Sequence, residues 1–147
     1  MISHMKNLII LILAFTANLA FAGDYSHYFE TNDGQKVLLE SACTDSKRVL
    51  GLMNRPSLSE NTGMVFIYDG NVEQSFWMKN VNFPLDLIYL REGTVTRVYK
   101  KIKPCTTDIC RVYSSKGLID QALEVPAGFC AQHRIKKGSI IRIKELM

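Results

Sequence analysis

The sequence predicts a mainly β domain: a small sandwich or distorted barrel of short, mostly antiparallel strands, with one or two short helices. Three observations carry that expectation. The apolar runs are short and bounded by turn residues, as at Met64 to Tyr68 followed by Asp69-Gly70-Asn71. Leu85 to Leu90 and Thr94 to Lys100 flank Arg91-Glu92-Gly93, the pattern of a hairpin. Within the second arm, Val95 to Tyr99 alternate with the period of two that a half-buried strand requires. Short strands at this spacing, with one brief helix among them, build sandwiches and barrels.

Taken in order, the chain opens with Lys6, a Leu/Ile run from Leu8 to Leu13, and Ala20-Phe21-Ala22. A basic start, an apolar stretch and small residues at a cleavage position read as a signal peptide, with cleavage after Ala22. A membrane-spanning helix would need about 20 apolar residues. Here Thr16 and Asn18 interrupt the run, and no basic stop-transfer cluster follows. Residues 23–35, polar and aromatic by turns, are expected to form a loose lead-in to a single β domain over 36–147. Val37 to Glu40 reads as a strand. Thr44 or Asp45 can cap a short helix through Lys47, Arg48, Val49, Leu50 and Leu52, which Pro56 and the polar residues after it end. Met64 to Tyr68 and Ser75 to Met78 are compact strands, followed by the hairpin. Leu118 to Val125 and Ser139 to Lys144 supply two more, and Pro126 to Ile135 a helical turn between them.

The full chain has 147 residues and a formal charge of +4, which falls by one when the leader takes Lys6 with it. Lys100, Lys101 and Lys103 cluster, as do Arg134, Lys136, Lys137, Arg142 and Lys144, but acids lie among them. An exported domain rarely meets nucleic acid, so a soluble basic face is expected rather than a phosphate footprint. All four cysteines, Cys43, Cys105, Cys110 and Cys130, follow the leader. An even count in an oxidising compartment points to disulfides. Of three possible pairings, the turn-prone segment from Pro104 to Cys110 favours Cys105 with Cys110, leaving Cys43 with Cys130. No C-x2-C set suggests zinc, and no cofactor is expected.

The segments GLMNRPSLSENTGMVF, SFWMKNVNFPLDLIYL and ALEVPAGF resemble the domain-of-unknown-function family number 192, also called uncharacterised protein family 0127. The likeness spans about Lys36 to Ile143 and includes the PCxxxxC segment followed by Tyr113-Ser114-Ser115. It implies a compact β fold with one short helix, in a family of small, often exported proteins, and it brings no activity with it. The chain departs from the family pattern at Cys43 and Cys130.

The densest polar cluster beside an apolar run is Lys79, Asn80 and Asp86, with Arg48 and Arg55 at the helix end. The resemblance places motif polar residues at these positions and at Glu124. As a site, the cluster would hold an envelope saccharide or a small anionic ligand: Arg or Lys on a carboxylate, Asn80 and Asp86 on hydroxyls, Trp77 stacked on a sugar face. As structure, Asp86 would pair with Arg48 or Arg55 and cap backbone groups where the strands diverge, in a buried polar network. A hydrolase would use Asp86 and Glu124 as paired carboxylates on a saccharide or similar polar substrate. A copper-handling protein would use Met53, Met64, Met78, Trp77 and His133. The leading expectation is a monomeric, exported, non-catalytic module that binds an envelope ligand or a protein partner, touching the membrane only through an uncleaved leader.

Overall fold

A computed structural model describes residues 23–147; the expected signal peptide and its cleavage site lie outside the described residues. The mainly β architecture holds. Strands β1 (Tyr25–Glu30), β2 (Lys36–Ala42), β3 (Thr62–Val72), β5 (Leu85–Arg91), β6 (Thr94–Ile102), β8 (Ile119–Pro126) and β9 (Lys144–Glu145) form one sheet in the order β6-β5-β8-β3-β2-β1-β9. β4 (Ser75–Trp77) and β7 (Val112–Ser114) form a separate two-stranded ribbon. Helices α1 (Asp45–Leu50) and α2 (Phe129–Gln132) are both short. Every pairing in the large sheet is antiparallel except β2 with β3, which are joined through α1.

The sheet buries both faces. On one, Phe29, Val37, Leu39, Val65, Ile88, Leu90, Leu123 and Val125 pack with Phe129 and Cys130 of α2 and with Ile135 and Ile141. On the other, Met64, Phe66, Leu85, Leu87, Tyr89 and Ala122 pack beneath Leu52, Met78 and Val81, with Phe76 and Tyr113 of the ribbon against them. Two buried faces explain why β3, β5 and β8 read as near-continuous apolar runs rather than strict alternations. The C-terminal segment curls the sheet. Val95 donates to the Ser139 carbonyl and Ile141 to that of Gly93, at 2.9 and 2.8 Å, and β9 then pairs with β1. It thus touches both edges of the sheet without closing it into a barrel.

Three sequence expectations are corrected. The loose lead-in is strand β1: Phe29 alone is fully buried there, so the apolar pattern is weak, and the strand is defined by its partners β2 and β9. The expected last strand from Ser139 to Lys144 shrinks to an isolated bridge at Ile140 and the two residues of β9, because the segment crosses from one edge to the other. Cys105 and Cys110 are bridged as expected, but Cys43 and Cys130 are free thiols. Cys43 is exposed just past the end of β2, whereas Cys130 is buried in α2 among the first core.

Candidate functional site

A cavity of about 370 Å³ opens on the second face, between α1 and the ribbon. Its size falls within the range of small-molecule sites. Thr44 caps α1, accepting from the Lys47 amide at 3.3 Å, and Gly51 ends it with a positive φ of 47°. A Cβ at Gly51 would make only ordinary contact with the Phe66 ring, at 3.4 Å, so it is the positive φ of the turn that calls for glycine. The short helix has no fully buried residue; its apolar Val49 and Leu50 stay exposed at 72% and 55%. Both line the cavity, as do Phe66 and Tyr68 from β3, Val81, and the consecutive residues Gln74, Ser75, Phe76 and Trp77. Phe76 stacks edge-on against Phe66, centroids 4.7 Å apart, which fixes the ribbon over the sheet. Trp77 remains 48% exposed at the rim.

Glu124 also lines this cavity, from the inner strand β8. It sits opposite Met64 on one side and Leu87 on the other, in the middle of an apolar sheet face. Its Oε2 is buried and has no hydrogen-bond partner within the protein. Burial pushes its carboxyl up to about 8, against the smaller opposing pull of Arg55. Near neutral pH the group is therefore largely a neutral acid, able to donate as well as accept. Beside it, burial raises the Tyr68 hydroxyl to about 12.

The other candidates divide. Arg48 lines the cavity but is held: its Nη1 donates to the carbonyls of Cys43 and Ile67 at 2.9 and 2.7 Å, and its Nη2 to Asp45 at 2.6 Å. Arg55 makes a two-point pair with Glu40, at 2.5 and 2.8 Å, which raises its pKa further. Lys79 and Asn80 are exposed. The Lys79 ammonium rests 5.3 Å from the Trp77 ring centroid, and the Asn80 carbonyl accepts from the Asn54 amide at 2.8 Å.

Asp86 meets neither arginine, contrary to the expected pairing, but it does cap backbone groups as expected. It is fully buried and accepts from the backbone amides of Lys101, Gly128 and Cys130, at 2.7, 3.2 and 2.8 Å. Its place is structural: it ties β6 and the start of α2 to β5. Asp86 pairs with Val125 across the sheet, while Glu124 pairs with Leu87. Cross-strand partners share a face and successive residues alternate, so the two carboxylates point to opposite sides and cannot flank one glycosidic bond. The copper set also fails to converge. Met64 and Met78 are in the second core, with Met53 packed against it, whereas His133 stacks on Phe129, ring centroids 4.3 Å apart, beside the first core.

Sequence reading missed the aromatic and aliphatic walls: Tyr68, Phe76, Val49 and Leu50 look like ordinary core residues until α1 is seen to leave its apolar face unpacked. The fold and cavity together define a strand-rich domain with an open pocket lined by aromatic side chains and by the buried Glu124 carboxyl. The chain belongs to the DUF192 family (Uncharacterized ACR), whose model matches residues 28–143. Two crystal structures resemble it. A Sinorhizobium meliloti 1021 protein, described as a proposed transcription regulator, aligns with a TM-score of 0.70 at 24% identity, over 82% of this chain and 92% of its own. A Novosphingobium aromaticivorans DSM 12444 protein of unknown function aligns with a TM-score of 0.69 at 25% identity, over 81% and 83%. These likenesses concern the fold and assign no activity. No curated protein matches the chain.

Proposed function

We propose that this chain is an exported, non-catalytic binding module of the cell envelope, and that its ligand enters the cavity between α1 and the ribbon. The observation that carries the reading is Glu124: a buried carboxyl with an unpartnered oxygen, lining an open pocket walled by Phe66, Tyr68, Phe76 and Trp77. A buried polar atom without a partner costs roughly 1–3 kcal/mol, and such groups in native structures call for an explanation. A bound ligand that supplies the missing partner is that explanation. Exposed Val49, Leu50 and Trp77 at the mouth support it, since apolar groups left at a concave rim mark contact surfaces. Binding rather than catalysis is favoured because, among the described residues, neither hydroxyl of the wall, Ser75 or Tyr68, is hydrogen-bonded to a base.

Export rests on the leader and on the Cys105–Cys110 bridge, which suits an oxidising compartment. N-terminal sequencing of the protein recovered from the envelope should begin at Gly23; recovery from the cytoplasm with Met1 or Met5 intact would overturn it.

The site is tested with a fragment library of neutral, anionic and cationic members, screened by ligand-observed NMR. Ser75→Trp serves as a plug, since Ser75 is exposed and borders the cavity. Fragments should bind the native protein and lose binding in the plugged variant. A library with no hits, or hits indifferent to the plug, would remove the cavity from the account.

A further inference from the structure

We infer that the cavity takes an organic cation, a primary ammonium or guanidinium on an apolar stem, with Glu124 as its counter-ion and the aromatic walls around its stem. This rests on the binding reading above and specifies the ligand.

The argument begins with how the protein distributes its own charges. Two guanidinium groups lie near Glu124, Arg48 lining the same cavity and Arg55 pulling on its charge, and neither is bonded to it. Arg48 is matched with Asp45 and two backbone carbonyls. Arg55 is matched with Glu40 through both of its terminal nitrogens. Each neighbouring cation already has another acid, and the most buried carboxylate at the cavity is left with none. An acid kept among Met64, Leu87 and Phe66 without a cation is costly unless neutral. A ligand cation supplies the missing charge.

The walls fit the same chemistry. Phe66, Tyr68, Phe76 and Trp77 present aromatic surface on more than one side of the cavity, and aromatic faces attract ammonium and guanidinium groups. The rim shows this already, where the Lys79 ammonium lies over Trp77 and the Arg48 guanidinium lies 5.3 Å from the Tyr68 centroid. An anionic ligand fits poorly once Glu124 is ionised, because the carboxylate would repel it, and the charges of Arg48 and Arg55 are already matched by Asp45 and Glu40. A neutral ligand would meet only the protonated carboxyl, whereas a cation also gains the charge of the ionised form.

Ionisation of Glu124 is within reach near neutral pH, because burial holds its carboxyl at about 8. The groups facing it are Arg48 and Asp45 from α1, Tyr68 from β3, and Arg55 with its partner Glu40 from the loop after α1 and from β2. Arg55, raised further by Glu40, remains cationic over the working range, and Tyr68, raised to about 12, remains neutral. Glu124 is then the group whose proton must leave when a cation enters.

The test is a titration with n-butylammonium against n-butanol as the neutral isostere, read by the fluorescence of Trp77, the single tryptophan. The ammonium should bind at least tenfold more tightly than the alcohol at pH 8. Its apparent affinity should rise about tenfold per pH unit from pH 6 and level off above 8, as Glu124 loses its proton before binding. Glu124→Gln should abolish both the preference and the pH dependence; the pH profile of the native protein stands as evidence even where that variant folds poorly. Equal binding of the two probes, or a preference that survives Glu124→Gln, would overturn the cation while leaving the binding reading intact. Failure of every library fragment to enter the cavity would instead remove the binding reading itself.

Discussion

Asp86 and Glu124 lie one register step apart on adjacent strands yet face opposite sides of the sheet: Asp86 opposes Val125, and Glu124 opposes Leu87. That parity separates their roles. One carboxylate is spent on backbone amides inside the fold, and the other is left unpartnered at a cavity.

Asp86→Ala removes the acceptor of three backbone amides at once, those of Lys101, Gly128 and Cys130. Buried donors left unpaired cost about 1–3 kcal/mol each, so a loss of about 3 kcal/mol or more is expected in urea unfolding. Asp86→Asn keeps an acceptor oxygen and should cost less. A loss below about 1 kcal/mol for the alanine variant would contradict the structural role.

Glu124 makes stability fall with rising pH. Its carboxyl is raised from an ordinary 4.5 to about 8 by burial, so between those values the folded state holds a proton that the unfolded state has released. Stability drops as pH rises through that window, by at most about 1.4 kcal/mol per unit, and flattens above 8. Glu124→Gln carries no such proton. Its stability relative to the native protein should therefore improve from pH 5 to pH 8, by a few kcal/mol at most. Parallel stability–pH curves for the two proteins would contradict the buried carboxyl.

Gly63 allows β3 to approach β8 where Glu124 begins. A Cβ there would meet the Glu124 carbonyl oxygen at 2.5 Å, with Val125 and Leu39 also in close contact. Both strands are fixed by their ladders, so backbone has to move. Gly63→Ala is expected to cost about 3 kcal/mol, measured by thermal or urea unfolding. A neutral outcome would mean the strands are not held this closely.

The four cysteines should separate into three behaviours. Cys43 is exposed and should alkylate in the native protein; Cys130 is buried, its thiol pushed up by desolvation, and should react only on unfolding. Cys105 and Cys110 should be found joined in a non-reduced digest. Replacing both with serine opens a short loop and should cost about 2 kcal/mol. A bridge from Cys43 to any other cysteine within the folded chain would contradict the structure.

Legibility in the sequence followed the range of the interaction. The β5–β6 hairpin was readable because its turn and its period-two arm are local. The Cys105–Cys110 bridge was readable for the same reason, since both residues sit on one turn. β1 was not, because Phe29 is its single fully buried residue and the strand is made by partners far along the chain. Pairing Cys43 with Cys130 failed because counting cysteines does not say which side of a sheet each one reaches. Of the candidate site residues, Arg48, Trp77 and Glu124 do border one cavity, while Lys79 and Asn80 stay exposed and Asp86 turns to the far face. Those divisions depend on register between distant strands, which composition and spacing do not encode.

The Glu124 carboxyl carbon can be followed by NMR across pH 4 to 10, with and without saturating n-butylammonium. The expected midpoint is about 8 for the free protein, falling by about two units or more when the cation is bound. A free midpoint near the ordinary 4.5, or one that does not move with the ammonium, would contradict a buried carboxyl waiting for a cationic ligand.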